Sequence, residues 1–172
     1  MKPALFRIEA LTADHDRSLF HCGNDALDRY LQTQATQDIR RRIANCFVGV
    51  ETSSGRIAAY YTLSATSIPI GEIPPESAKR LPRYPVVPAV RIGRLAVDQR
   101  FQRRGLGEAL PADAAARVLR ADIAAFMLVA DAKDDRAVAF YRRYGFREIA
   151  GQPRKLFLSL ATAQQVLLSS SR

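Results

Sequence analysis

The sequence predicts a single α/β domain, residues 1–172, built on a mixed sheet with helices on both faces. Three observations carry this. Short β-rich runs and helical runs follow one another in the order strand, helix, hairpin, strand, helix, strand, helix, strand. The 172 residues are about one domain long. A hydrophobic content of 48% is enough for one substantial core.

Element by element, FRIEAL (6–11) forms a first strand. After the turn-like HCGN, DALDRYLQTQATQDIRRR reads as one helix, with Asn24 as its N-cap and Leu27, Tyr30 and Leu31 at i, i+3, i+4 spacing. CFVGVE (46–51) and RIAAYYTLSAT (56–66) flank TSSG and form an antiparallel hairpin. Pro69, Pro74, Pro75, Pro82, Pro85 and Pro88 make residues 67–88 a structured excursion with room for one short helix at PESAKRL. VRIGRLAVD (90–98) is an apolar strand, followed by a glycine segment with its helix and by the buried strand AAFMLVADA (124–132). DDRAVAFYRRYG (134–145) is a helix stopped at Gly145, FREIAG and PRKLFLSL are the last two strands, and LLSSSR reads as a frayed end.

Composition excludes several function classes. No stretch approaches the roughly 18 apolar residues of a membrane span, and the start lacks a signal-peptide core, so a soluble, cytoplasmic protein without membrane association is expected. Cys22, Cys46, His15 and His21 form no metal-ligand spacing, so neither a metal nor a disulfide is expected. Cys22 reads as a turn or buried thiol and Cys46 as a small strand hydrophobe. Nothing resembles a Ser-His-Asp or Cys-His arrangement. Lys and Arg outnumber Asp and Glu by 26 to 17, giving a net charge of +9. That excess favours an anionic partner, with nucleic acid the leading candidate.

The most informative stretch is QRRGLGEALPADAAARV (102–118). Gly105 and Gly107 follow a strand and open a helix, where glycines let the backbone approach a ligand and the first-turn amides lack partners. Such a turn binds phosphate, and Arg103 and Arg104 add charge. The same glycines would equally serve a tight turn or a close helix-to-sheet contact. Leu110 stands where a dinucleotide-binding G-x-G-x-x-G needs its third glycine, and the G-K-[ST] of an ATP P-loop is lacking.

Gln102, Gly105 and Gly107 after LAVD, with AVAFYRRYGF downstream, resemble the GNAT-type N-acetyltransferases. The resemblance spans nearly the whole chain. It implies an acyl-CoA N-acyltransferase fold with a mostly antiparallel mixed sheet, and acetyl-CoA as co-substrate. Backbone groups of Leu95, Ala96 and Val97 would face the pantetheine arm, and Gln102, Arg103, Arg104, Gly105, Leu106, Gly107 and Glu108 would hold the pyrophosphate. Asp131 and Phe140 complete the implied coenzyme set. Tyr141 would be the catalytic residue, its hydroxyl near the coenzyme sulfur: a phenol of pKa about 10 is protonated at neutral pH and can donate to a thiolate whose thiol pKa is about 8.5. Packing alone accounts for Phe140 as a core aromatic, and Tyr144 competes for the catalytic role.

FHCGNDALDRYL, AYYTLSA, LPRYPVVPAVRIGRLAVD and VADAKDDRAVAFYRRYGF are similar, in that order, to the acetyltransferase toxins of type II toxin-antitoxin modules. That narrower resemblance implies acetylation of the α-amino group of aminoacyl-tRNA, which blocks translation, and a ribbon-helix-helix antitoxin as partner. It leaves a homodimer open. Arg40, Arg41, Arg42, Arg83, Arg91 and Arg94 become candidate RNA phosphate contacts, with Lys79, Arg80, Arg142 and Arg143 beyond them. The alternatives are transfer to a protein or small-molecule amine, and a non-catalytic module that retains coenzyme A and binds nucleic acid or an antitoxin. One departure bears on the cofactor helix: Pro111 stands where the family usually has the second of two leucines, and inside a helix proline costs about 3 kcal/mol, so a bend is expected there.

Overall fold

The computed structural model describes residues 4–170. Its seven strands are hydrogen-bonded neighbours in the order β1-β2-β3-β4-β5-β7-β6, a mixed, mostly antiparallel sheet accompanied by helices, as expected. The chain divides into two compact units.

The first unit comprises Met1–Ser64 and Gly93–Asp113. β1 (Phe6–Ala10) pairs antiparallel with β2 (Asn45–Glu51), and β2 pairs antiparallel with β3 (Ile57–Pro69). Asn24 is an N-cap, as predicted: its side chain accepts the Leu27 N–H at 3.1 Å. The helix it opens is not the single α-helix expected. α1 (Asp25–Arg29) gives way to a π turn at Tyr30–Gln34 before α2 (Ala35–Arg40), and the Ala35 N–H reaches back five residues to the Tyr30 carbonyl. Side-chain hydroxyls account for the widening. Tyr60 donates to the Leu27 carbonyl at 2.6 Å and Thr33 to the Arg29 carbonyl at 2.7 Å, so the regular ladder is contested at that turn. Leu11, Phe20, Leu31, Val48, Val50 and Tyr60 form the core beneath it.

The second unit comprises Ala65–Ile92 and Ala114–Arg172. Within it, the part of β4 (Val86–Val97) that ends at Ile92 pairs in parallel with β5 (Met127–Asp131), from Ala89 opposite Met127 to Ile92 opposite Ala130. β5 runs antiparallel to β7 (Gln152–Ser159), which pairs antiparallel with β6 (Arg147–Ile149). Met127, Leu128, Val129 and Ala130 are all buried, the continuous apolar run of a strand covered on both faces. The proline-rich excursion is shorter than expected, because β3 continues to Pro69 and β4 already starts at Val86; α3 (Pro75–Ala78) is the short helix between them. Pro88 is tolerated inside β4, where its carbonyl still accepts the Phe126 N–H at 2.8 Å.

α4 (Leu106–Arg120) runs unbroken through the buried Pro111, which lacks the N–H that would otherwise bond the Gly107 carbonyl. At its second turn Asp113 accepts the hydroxyl of the fully buried Tyr61 at 2.5 Å. α5 (Asp135–Arg143) opens on an Asp134 cap to the Ala137 N–H at 2.8 Å. It closes at Gly145, whose φ of 91° lets Phe146 N–H reach the Tyr141 carbonyl and Gly145 N–H the Arg142 carbonyl, each at 3.1 Å.

The carboxyl-terminal reading needs correction. The helix α6 (Leu160–Ser170) was not expected after the last strand, and of the LLSSSR read as a frayed end, 171–172 lie outside the described residues. Good helix formers with Leu160 and Ala163 buried on one side carry that helix. Among the described residues no helix is long and apolar enough to cross a membrane.

Candidate active site

Asp98 sets up the glycine turn. Its buried carboxylate accepts the N–H groups of His21 and Arg100 at 2.9 Å each, closing β4 into a short 3-10 turn at Gln99–Phe101. Gln102 next sends its side-chain amide back to the Val97 carbonyl at 3.3 Å. Arg103 (φ 64°) and Gly105 (φ 87°) are both left-handed, a conformation unusual for arginine, and such reversals turn successive amides toward one side. The first intrahelical bond of α4 runs from the Ala109 N–H to the Gly105 carbonyl at 3.1 Å, leaving the amides of Leu106, Gly107 and Glu108 ahead of the ladder. Nothing lies within 4 Å of the place a Gly105 Cβ would take. The turn therefore combines free amides, the positive end of a 15-residue helix and open space, which fits a bound pyrophosphate.

The side chains here are less committed to an anion than their types suggested. Arg103 and Arg104 are both exposed; Arg104 leans toward Glu51 at 3.8 Å and over the Phe101 ring, and Glu108 puts a carboxylate in the first turn. The backbone amides, not the arginine heads, are the donors this turn leaves ahead of the helix ladder. Leu95 and Val97 are half-buried and Ala96 is buried in the core under β4. This turn and these strand residues all belong to the first unit.

The second unit carries the tyrosine. Tyr141 is buried on α5, its ring against Phe140 at 5.1 Å and Phe146 at 5.1 Å between centroids. Burial, with the negative charge of Asp131 adding to it, pushes its phenol well above the usual value, so the hydroxyl keeps its proton at any physiological pH. Phe140 is not the core aromatic that packing suggested; it is half-exposed between the rings of Tyr141 and Tyr144. Tyr144 is the C-cap and half-exposed. Asp131, at the exposed end of β5, pairs with the Arg91 Nε at 3.3 Å.

The candidate phosphate contacts differ among themselves. Arg40, Arg41, Arg42 and Arg83 are exposed, Arg91 is half-buried and held by Asp131, and exposed Arg94 lies over the Tyr30 ring with its guanidinium carbon 3.7 Å from the centroid. Sequence reasoning missed Asp98 as the organiser of the turn and Tyr30 as the partner of Arg94. A carboxylate ending a strand and a tyrosine on an apolar helix face carry no local signal for either role. Cys22 is half-buried and Cys46 buried in β2, where desolvation pushes its thiol up to about 12. Among the described residues no group of three or more His, Cys, Asp or Glu side chains is placed to hold a metal ion.

Residues 26–156 match a known family, described as an acetyltransferase (GNAT) domain. The chain belongs to the GNAT acetyltransferases. Among relatives, it is 30% identical over 154 residues to a tRNA-acetylating toxin of Mycobacterium tuberculosis, covering 88% of this chain and 90% of that one. Among solved structures, AtaT complexed with acetyl-methionyl-tRNAfMet superposes with a TM-score of 0.84 at 29% identity, covering 94% of this chain and 99% of that one. A tyrosine-to-phenylalanine variant of AtaT, bound to the C-terminus of the antitoxin AtaR and to acetyl-CoA, gives a TM-score of 0.80 at 26% identity, covering 95% of this chain and 99% of that one. The protein is thus an N-acetyltransferase, and acetyl-CoA is its co-substrate.

Proposed function

We propose that this N-acetyltransferase is a toxin that acetylates the α-amino group of aminoacyl-tRNA, ending that molecule's use in translation. The carrying observation is the agreement, over 88% and 94% of the chain, with tRNA-acetylating relatives, including one solved with an acetylated aminoacyl-tRNA. The net charge of +9 suits a polyanionic acceptor and disfavours a cationic polyamine.

Acetyl-CoA supplies an acetyl group activated as a thioester. The chain's residues do the rest. Amides of Leu106, Gly107 and Glu108, with Gln102, Arg103, Arg104 and Gly105 shaping the turn, hold the pyrophosphate. Backbone groups of Leu95, Ala96 and Val97 align the pantetheine arm, and one N–H there donates to the oxyanion that develops as the amine attacks. Tyr141 donates a hydrogen bond to the departing thiolate, which takes up the proton that the attacking amine gives up; burial, with Asp131 beside it, keeps the phenol protonated, and Phe140 lines its approach. No covalent enzyme intermediate is involved. The acceptor's phosphates fall to the arginines, with Arg40, Arg41, Arg42, Arg83, Arg91 and Arg94 as candidates.

The relatives bound to an antitoxin support an antitoxin partner here as well. We assign it to the ribbon-helix-helix class, with a cytoplasmic, homodimeric toxin as the matching state. The test is incubation with labelled acetyl-CoA and, in parallel, total aminoacyl-tRNA, uncharged tRNA and a peptide mixture. Label in aminoacyl-tRNA alone, falling steeply with salt, is expected. Label only in peptide would overturn the RNA acceptor and leave the acetyltransferase.

A further inference from the structure

Six arginines compete for the acceptor, and the geometry separates one of them. An exposed arginine on a flexible stem must lose rotamer freedom to fix a phosphate, and one already neutralised by a carboxylate offers little net attraction. Arg91 is of the second kind, held at 3.3 Å by Asp131. Arg94 is of neither kind. Its backbone N–H is anchored to the Thr62 hydroxyl at 3.0 Å, and its guanidinium carbon sits 3.7 Å from the centroid of the Tyr30 ring, within the range of a strong cation–π stack. Among the described residues no carboxylate lies within 4.0 Å of it, and the side chain remains exposed.

The platform under it is unusually well fixed. Tyr30 starts the π turn, is buried, and donates its hydroxyl to Asp38 at 2.8 Å. Its ring stacks in turn on Tyr60, with centroids 6.2 Å apart and planes 17° from parallel. Donation to a carboxylate makes the ring face more electron-rich, which strengthens the hold on a cation. One face of the guanidinium is thus spent on the ring, while its edge N–H groups remain available to two oxygens of a single phosphate. The π turn is common at functional sites.

We propose that Arg94, held ready by Tyr30, is the arginine that grips a backbone phosphate of the aminoacylated acceptor end, with Tyr30 as its positioning residue; this rests on the aminoacyl-tRNA reading above. The other source of the same chemistry is a phosphate of coenzyme A, and the test separates the two.

Steady-state kinetics are measured for the parent, Arg94→Gln, Tyr30→Phe and Tyr30→Leu, with aminoacyl-tRNA and with phosphate-free aminoacyl-adenosine as acceptors. For Arg94→Gln the ratio of kcat/KM on aminoacyl-tRNA to that on aminoacyl-adenosine falls about tenfold or more, as for loss of a charge-assisted bond. Its plot of log kcat/KM against log salt flattens by about 0.7 to 0.9, one phosphate's worth. Tyr30→Phe keeps the ring and retains most of the ratio, while Tyr30→Leu removes the platform and reproduces the arginine defect. Should Tyr30→Leu fail to fold, Arg94→Gln and Tyr30→Phe still decide the matter. An unchanged ratio and salt slope in Arg94→Gln overturns the proposal, as does a defect appearing in KM for acetyl-CoA instead. A parent that acetylates aminoacyl-adenosine but no aminoacyl-tRNA refutes the underlying function, a result distinct from either.

Discussion

Tyr141 is the residue on which turnover depends in this account. Tyr141→Phe removes one oxygen from a buried ring and leaves its contacts with Phe140 and Phe146. Turnover is expected to fall about a hundredfold or more, the usual worth of a general acid, with acetyl-CoA affinity by calorimetry unchanged. Parent-like turnover would hand the role to another group. Gly105→Ala acts differently. There is room for the methyl, but φ at 87° costs an L-residue about 1–2 kcal/mol, so weaker acetyl-CoA binding and a lower Tm are expected through backbone strain alone. Equal affinity and equal Tm would show that the turn does not depend on its left-handed glycine. The buried thiol of Cys46 gives a pH prediction with a definite sign. Burial raises its pKa from 9.0 to about 12, so the unfolded chain loses that proton first and stability declines as pH rises through that window. Tyr30, Tyr60 and Tyr141 are raised as well and act in the same direction. Thermal melts from pH 8 upward should show Tm dropping above about pH 9; a flat profile to pH 11 would contradict the burial of these groups.

At the scale of elements, α4 poses the sharpest energetic question. Pro111 leaves the Gly107 carbonyl without its ladder donor, yet the helix continues, with Leu110 and Ala114 buried and Asp113 tied to Tyr61. Pro111→Ala restores the donor and is expected to raise Tm; a lower Tm would mean that the ring's packing outweighs the lost bond. This helix also shows what the sequence made legible. The glycine turn, the N-cap at Asn24 and the Gly145 stop were readable, because each depends on the chemistry of one residue in a fixed local geometry. What escaped was set by distant partners. The π turn arises where Tyr60, thirty-three positions away, claims the Leu27 carbonyl, and the Arg94 stack depends on where that turn puts Tyr30. Asp98 organises the glycine turn through His21, seventy-seven residues earlier. α6 was overlooked for another reason: a short polar-apolar run after a strand has weak periodicity, and only its docked Leu160 and Ala163 fix it as a helix.

Taken whole, the molecule pairs a neutral, buried phenol with a strongly cationic composition, the combination that the proposed acyl transfer to charged tRNA uses. The glycine and tyrosine motifs could be located because they are local, whereas the choice among the candidate arginines depends on tertiary placement. The claim is tested most directly at the product. Aminoacyl-tRNA is incubated with acetyl-CoA and the purified protein, the RNA is digested, and the 3′-terminal aminoacyl-adenosine is analysed by mass spectrometry beside a Tyr141→Phe control. N-acetyl-aminoacyl-adenosine is expected with the parent protein and little with the variant. Unmodified aminoacyl-adenosine from a preparation that binds acetyl-CoA and acetylates peptide would contradict it.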